Sequence, residues 1–223
     1  EVHNAGSISN RMGLHKNYEY RLGLSATPAR HFDDYGTYII EGYFKSINKP
    51  TFSFNLRRAL EIGSLCSYLY HLNEVELSSD ELDEYMSYNK KIGILLNKDD
   101  DKSKDDLKKL YIQRSKVIMN ADHKYQILYD KLKSMDKIEH LLIYVSPQQI
   151  ERVMDMLNGL AIRARKFTME ETTSERKKLI KYFEEGTCDV LVAMKCLDEG
   201  VDIPVVKKAI IMASSGNSRE YIQ

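Results

Sequence analysis

Cysteine is scarce in this sequence, and its arrangement argues against two classes of protein. The 223 residues include three cysteines, Cys66, Cys188 and Cys196, and no two of them form a C-x-x-C pair. This odd, unclustered set disfavours a disulfide framework or a zinc site, and it favours a reducing compartment. No apolar run approaches the roughly 18 residues that a membrane-spanning helix needs, and the N-terminus lacks the pattern of a signal peptide. We therefore expect a soluble, cytoplasmic protein.

An excess of charge of either sign is also missing. Lys+Arg and Asp+Glu each number 33, so the formal net charge is zero. A neutral balance gives no support for nucleic-acid binding, although it leaves room for a local basic groove. The hydrophobic content of 43% and the charged content of 30% are ordinary for a globular protein. The length suffices for one large domain or two small ones.

The C-terminal half alternates short apolar runs with helical segments. Strands are predicted at 140–145, 161–167, 188–193 and 206–212. Ser146-Pro-Gln-Gln149 and Thr172-Thr-Ser-Glu175 have the spacing of capping boxes, so a helix is predicted after each of the first two strands. Strands and helices that alternate with short connections are typical of an α/β fold whose parallel sheet is covered on both faces.

The N-terminal half is less regular. Strands are predicted at 20–25, within 37–55 and at 67–77, and helices at 55–62, 104–118 and 122–135. A further capping box, Ser78-Ser-Asp-Glu81, predicts the start of another helix. Residues 97–109 are mostly charged but lack the glycine and distal glutamate of a calcium loop, so they indicate a solvated loop or an exposed helix end. A boundary between two units is predicted within 50–75.

The stretch from Cys188 to Pro204 follows the third strand of the predicted sheet. After its apolar run it contains Asp198, Glu199, Gly200 and Asp202. Ligands of parallel α/β sheets bind at the carboxyl ends of the strands, so the position suits a site. Taken alone, the same residues are more typical of an ordinary solvated loop.

Four segments, in this order, resemble motifs of superfamily 2 helicases and translocases. Glu1-Val-His3 resembles motif II, Leu24-Ser-Ala-Thr-Pro28 with Arg30 resembles motif III, and Leu197-Asp-Glu-Gly-Val-Asp-Ile-Pro204 resembles motif V. Residues 217–223 resemble the lead-in to motif VI. The Glu-Val-His and Ser-Ala-Thr-Pro-x-Arg strings are similar to the DExH branch of DNA repair and restriction-type ATPases.

The resemblance implies two RecA-like domains. Residues 1–55 would be the C-terminal part of the first domain, 56–120 a linking segment, and 121–223 most of the second domain. The chain would then be cut inside motif II and inside motif VI. No G-x-x-x-x-G-K-[ST] phosphate loop occurs in it. We therefore expect the 223-residue chain alone to hydrolyse no ATP, and the intact protein to do so.

The resemblance also implies site residues for ATP and Mg²⁺. Phosphoryl transfer needs a metal clamp, a residue that orients the attacking water, and positive charge for the transition state. Glu1 matches the glutamate that polarises water, and His3 matches the last letter of the same motif. Gly200 and Asp202 match the ATP-binding residues of motif V. Ser25 and Thr27 match the hydroxyl pair that couples the nucleotide site to the nucleic-acid site.

Nucleic-acid contacts are implied by the same family. The matching positions are Ser146, Thr168, Met194 and Lys195. Three departures affect this side of the site: Met194 replaces a common threonine, Glu199 a common arginine, and Met169 a glycine.

The implied function is an ATP-dependent DNA helicase or translocase, with RNA as an alternative substrate. Two rival functions remain open. One is the motor subunit of a restriction or phage-defence system with a nuclease or repair partner, and the other is a non-enzymatic, helicase-like scaffold that binds nucleic acid.

Overall fold

The computed structural model describes residues 2–25, 29–30, 33–47, 50–97, 101–168, 170–194 and 203–213. These residues form two compact units, one within residues 1–72 and one within 73–220. The change between units therefore falls inside the stretch 50–75 that the sequence indicates. None of the described helices is both long enough and apolar enough to cross a membrane.

The first unit contains two α-helices, α1 (Asp34–Phe44) and α2 (Leu56–Glu61), preceded by two short 3-10 turns. The carboxylate of Asp33 accepts a hydrogen bond from the Gly36 N–H at 2.8 Å and so caps α1. The prediction of strands within 37–55 is wrong, because this cap starts a helix through the aromatic and β-branched residues that favour strands. Asn55 caps α2 in the same way, and Gly63 closes it with a φ of 71°, as predicted.

The strands predicted at 20–25 and 67–77 are also wrong. Both segments are described, and neither pairs into a ladder. A strand exists only where a neighbouring strand takes up its backbone hydrogen bonds. In the first segment one such bond is present, from the Val2 N–H to the Leu24 oxygen at 2.9 Å.

A helical pair opens the second unit. It consists of α3 (Ser79–Leu95) and α4 (Asp101–Met119), which pack against each other. The predicted capping box is confirmed, since the Ser78 N–H donates to Glu81 Oε2 at 2.8 Å and the Glu81 N–H donates to Ser78 Oγ at 3.3 Å. Across the pair, Arg114 donates to Asn89 Oδ1 at 2.6 Å. Residues 101–109 of the charged stretch 97–109 belong to α4.

The sheet of the second unit has four parallel strands in the order β2-β3-β1-β4. Its elements follow one another as α5 (His123–Ser134), β1 (Leu141–Tyr144), α6 (Ile150–Gly159), β2 (Ala164–Phe167), α7 (Thr173–Glu184), β3 (Val190–Ala193) and β4 (Lys208–Ile211). The predicted α/β fold, a parallel sheet with flanking helices, is confirmed.

The central strand β3 is buried on both faces, whereas the edge strand β4 is largely exposed. On one face, alternate residues of β1 and β3 such as Leu141 and Val192 pack with apolar residues of α5 and α6. On the other face, Leu191 and Ala193 pack with Phe167 and with Phe183 of α7. Burial on both faces explains why β3 appears as a continuous apolar run in the sequence.

One of the three predicted capping boxes does not cap a helix. Ser146 was expected at the N-cap, but α6 begins at Ile150. The Ser146 hydroxyl donates instead to Asn120 Oδ1 at 2.5 Å. Gln149, fully buried, accepts from the Ser146 N–H at 3.0 Å and donates to the Met119 oxygen at 3.0 Å. The Ser146–Gln149 bond is one half of the predicted box. The long-range bond of the Ser146 hydroxyl to Asn120 replaces the other half.

Ion pairs join neighbouring strands at the amino edge of the sheet. Arg163, before β2, binds the Asp189 carboxylate with two hydrogen bonds of 2.8 and 2.6 Å. Glu139, before β1, pairs with Lys137 and with Lys207, which precedes β4, each at 2.5 Å. The hydrogen bonds from these two lysines lower the pKa of Glu139 from 4.5 to about 2.

We expect the stability of the second unit to carry the signature of Glu139 in acid. Because its folded-state pKa lies below its ordinary value, its contribution is present above pH 4.5 and is lost as pH falls toward about 2. Urea unfolding of Glu139→Gln should show a weaker loss of stability than wild type across this window. Glu184→Gln, which removes an exposed carboxylate of α7, is the matched control, and equal slopes for all three proteins would contradict the assignment.

Candidate nucleic-acid and nucleotide site

Three of the residues predicted to contact nucleic acid lie at one edge of the sheet. Thr168 follows β2, Met194 follows β3, and Ser146 lies two residues beyond β1. The ladder continues to this edge, because the Met194 N–H donates to the Phe167 oxygen at 3.3 Å and the Val145 N–H donates to the Ala193 oxygen at 2.9 Å. Adjacent strands are about 5 Å apart, so the three positions span a short arc at the carboxyl ends of the strands.

Thr168 has both of its donors directed at one carboxylate. Its N–H donates to Glu171 Oε2 at 2.6 Å, and its hydroxyl donates to the same oxygen at 2.9 Å. The Thr168 hydroxyl also accepts from the Glu170 N–H at 3.1 Å. Thr168 is only 3% exposed. The Glu171 carboxylate therefore occupies the two donors of Thr168, the residue that was predicted to contact a phosphate. The sequence did not predict this role for Glu171.

Ser146 is held by a second set of hydrogen bonds. Ser146 bonds to Asn120 and Gln149, as described above. The Asn120 side chain in turn donates to the Lys116 oxygen at 2.8 Å and to Gln148 Oε1 at 2.5 Å. The end of α4 is thereby tied to the carboxyl edge of β1. A phosphate could be bound by Ser146 only if its hydroxyl turned away from Asn120, since a hydroxyl has a single proton to donate.

Lys124 links the end of α4 to the residue that follows β4. Its ammonium group donates to the Met119 oxygen at 3.0 Å and to the Met212 oxygen at 2.8 Å. Burial lowers the pKa of Lys124, and the nearby Glu81 carboxylate opposes this shift. Lys124 therefore holds the end of β4 beside the end of α4. No local pattern in the sequence distinguishes it from the other lysines.

The first unit brings together two other predicted residues. His3, 4% exposed, has its Nδ1 atom 3.1 Å from Ser25 Oγ. Arg30 donates to the His3 oxygen at 2.5 Å and to Asp33 Oδ2 at 2.6 Å. The segments that resemble motifs II and III are thus in direct contact.

Arg30 belongs to the segment that resembles motif III, and the sequence predicted no role for it. In the structure it binds Asp33 and the His3 oxygen. Its guanidinium, together with the Gly36 N–H, holds the pKa of Asp33 below its ordinary value. The backbone at Gly36 passes so close that an added Cβ would lie 2.4 Å from Asp33 Oδ2 and 2.7 Å from Arg30 Cδ. Glycine at this position allows the ion pair to close over the start of α1.

Five predicted site residues lie outside the described part of the chain. They are Glu1, Thr27, Lys195, Gly200 and Asp202. Their roles stay predictions. Among the residues that the structure does describe, no group of three or more His, Cys, Asp or Glu side chains could hold a metal ion.

Comparison with known proteins finds a family match in the C-terminal part of the chain. Residues 123–223 match the family described as "Helicase conserved C-terminal domain". The DNA 3'-5' translocase XPB2 of Sulfurisphaera tokodaii is 26% identical over 92% of this chain and 48% of its own length. UvrABC system protein B of Treponema pallidum is 35% identical over 30% of this chain and 10% of its own length. Among solved structures, the C-terminal part of the Fun30 ATPase domain has a TM-score of 0.46 at 16% identity, over 68% of this chain and 77% of that one.

The aligned relatives are longer than this chain. The aligned parts cover about half the length of the translocase and about a tenth of the UvrABC protein.

Proposed function

Because residues 123–223 match the helicase conserved C-terminal domain family, we propose that the intact protein is a nucleic-acid-dependent ATPase that moves along DNA. A relative named as a DNA translocase aligns with 92% of the chain, on both sides of the change between units. The cysteine pattern supports an intracellular location.

The observation that carries the proposal is the shared edge of Ser146, Thr168 and Met194. Backbone N–H groups and short hydroxyl side chains are common donors to the phosphates of nucleic acids. At this edge they follow three adjacent strands, where open parallel sheets bind ligands. In the proposed mechanism, Thr168 and Ser146 give up their internal hydrogen bonds to Glu171 and Asn120. They then hold the sugar-phosphate backbone without reading its bases. Binding of this kind depends strongly on salt and weakly on sequence.

The ATP side is proposed from the resemblance together with the first unit. Mg²⁺ and ATP would supply the reactive phosphoryl group and the neutralising charge. Glu1 would orient the attacking water, and Gly200 and Asp202 would contact the nucleotide from the second unit. Buried His3 holds Ser25 close to the end of this motif, so a change at the nucleotide would be passed to the segment 24–30. The nucleotide site needs a phosphate loop that these 223 residues lack.

ATP hydrolysis by the intact protein tests the proposal. Turnover is measured without nucleic acid and with single-stranded DNA, duplex DNA or single-stranded RNA at equal phosphate concentration. We expect DNA to raise turnover several-fold and RNA to raise it less. Stimulation by RNA alone would move the substrate to RNA. Absence of hydrolysis under all conditions would contradict the proposal and favour a non-enzymatic scaffold.

A further inference from the structure

Two identical Thr-x-x-Glu segments follow β2 in tandem. They are Thr168–Glu171 and Thr172–Glu175. In the second segment, the N–H and the hydroxyl of Thr172 both donate to Glu175 Oε2, each at 2.7 Å. In the first, the N–H and the hydroxyl of Thr168 make the same two bonds to Glu171 Oε2, at 2.6 and 2.9 Å. The two segments therefore form the same hydrogen bonds in two different places.

The second segment has a structural explanation. Thr172 is the N-cap of α7, and the Glu175 N–H returns a bond to the Thr172 hydroxyl at 3.3 Å. This is a complete capping box, which satisfies free N–H groups of the first turn. The hydrogen bonds from Thr172 lower the pKa of Glu175, so the carboxylate is charged at the positive end of the helix dipole.

The first segment caps no helix. α7 begins at Thr173, beyond Glu171, and Thr168 directly follows the last residue of β2. Glu171 instead accepts two hydrogen bonds from Thr168 at the carboxyl edge, where Met194 follows β3. Those donors are the ones that the family resemblance assigns to a backbone phosphate. A main-chain N–H and a hydroxyl that converge on one oxygen form an anion-binding pair.

We propose that Glu171 is an internal competitor for this phosphate position and that it sets the affinity of the edge for nucleic acid. The inference rests on the proposed function and specifies how the same site is regulated. The two Thr168 donors cannot bind a carboxylate and a phosphate at the same time. A phosphate bound at Thr168 would also be repelled by the negative charge of the adjacent Glu171 carboxylate. DNA therefore either displaces Glu171 from Thr168 or binds without this contact. In both cases the carboxylate weakens binding.

Glu171→Gln separates charge from shape, and Glu175→Gln is the matched control. Each variant removes one negative charge, and the two positions are four residues apart. Binding of a fluorescein-labelled single-stranded oligodeoxynucleotide to the 223-residue chain is followed by anisotropy at low salt. We expect Glu171→Gln to bind about tenfold tighter than wild type, the effect of removing one charged competitor. Glu175→Gln should stay within about twofold of wild type.

Thr168→Ala, made in both backgrounds, tests the direct partner. In wild type it should change affinity little, because Glu171 already occupies the hydroxyl. In Glu171→Gln it should remove a large part of the gain, because the phosphate then depends on that hydroxyl. This non-additivity is the expected sign of coupling between neighbours.

The outcomes distinguish the inference from the function on which it rests. If the chain binds DNA but Glu171→Gln gains no more than Glu175→Gln, the competitor role is overturned and DNA binding stands. The competitor role is also overturned if Glu171→Gln raises the affinity for the oligonucleotide equally in the presence and absence of Thr168→Ala. If wild type and every variant fail to bind at low salt while circular dichroism shows them folded, the proposed function of this edge fails as well.

Discussion

Replacing Glu1 by glutamine in the intact protein is expected to leave ATP binding in place and to lower ATP turnover about a thousandfold. Glutamine keeps the size and one acceptor oxygen of glutamate, but it has no negative charge with which to polarise the attacking water. Binding depends on contacts to the nucleotide, which this change does not touch. The expected result is therefore a fall in kcat with a nearly unchanged Kd for a fluorescent ATP analogue.

The control for this experiment is Glu19→Gln, which removes an exposed carboxylate of the same unit. It should hydrolyse ATP at the wild-type rate. Unaltered turnover in Glu1→Gln would contradict the role of Glu1, even if the protein proved to be a DNA-stimulated ATPase. Loss of nucleotide binding in Glu1→Gln would point to a structural role for this residue.

The parallel sheet could be predicted because its evidence is local. The two central strands, β1 and β3, are short apolar runs, and Thr172 with Glu175 carries the start of α7 within four residues. The helix that begins after Ser78 was equally readable from its capping box. Such signals need no knowledge of distant residues, and the structure confirms them.

The errors arise where distant residues decide the outcome. Ser146 has the sequence of an N-cap, but its hydroxyl donates to Asn120, which lies 26 residues earlier in the chain. The segments 20–25 and 67–77 have the composition of strands, yet the described chain gives them no ladder to join. Residues 37–44 favour strands by propensity, but they form a helix because the Asp33 side chain caps it. Tertiary partners override propensity in each case.

The candidate site shows the same division. The topology of a parallel sheet was enough to bring Thr168, Met194 and Ser146 to one edge. Glu171 has the same Thr-x-x-Glu spacing as Glu175, so its hydrogen bonds to Thr168 have a local signal in the sequence. The role of Lys124 could not be predicted, because it depends on the Met212 oxygen, which lies 88 residues later in the chain. A charged residue in a loop has the same appearance in sequence whether it is solvated or bound.

The largest expected effect on stability is that of Phe183→Ala. Phe183 is fully buried on α7, and its ring meets that of His140 edge to face with centroids 5.3 Å apart. It also packs with Phe167 and Leu191 of the sheet. Removing the ring leaves a cavity that the surrounding strands can fill only partly, so we expect a loss of about 3–5 kcal/mol. The midpoint of thermal unfolding should fall by roughly 10 °C or more.

Tyr182→Ala is the matched control, because the adjacent side chain on the same helix is 46% exposed. It removes a ring of similar size from a position that borders solvent, so its cost should stay near 1 kcal/mol. Circular dichroism during thermal and urea unfolding measures both variants. A cost for Phe183→Ala no greater than that for Tyr182→Ala would mean that α7 does not pack on the sheet as described. Because Thr168 and Glu171 lie between β2 and α7, loss of this packing should also disturb the proposed phosphate position, and oligonucleotide binding should weaken in Phe183→Ala before the fold is lost.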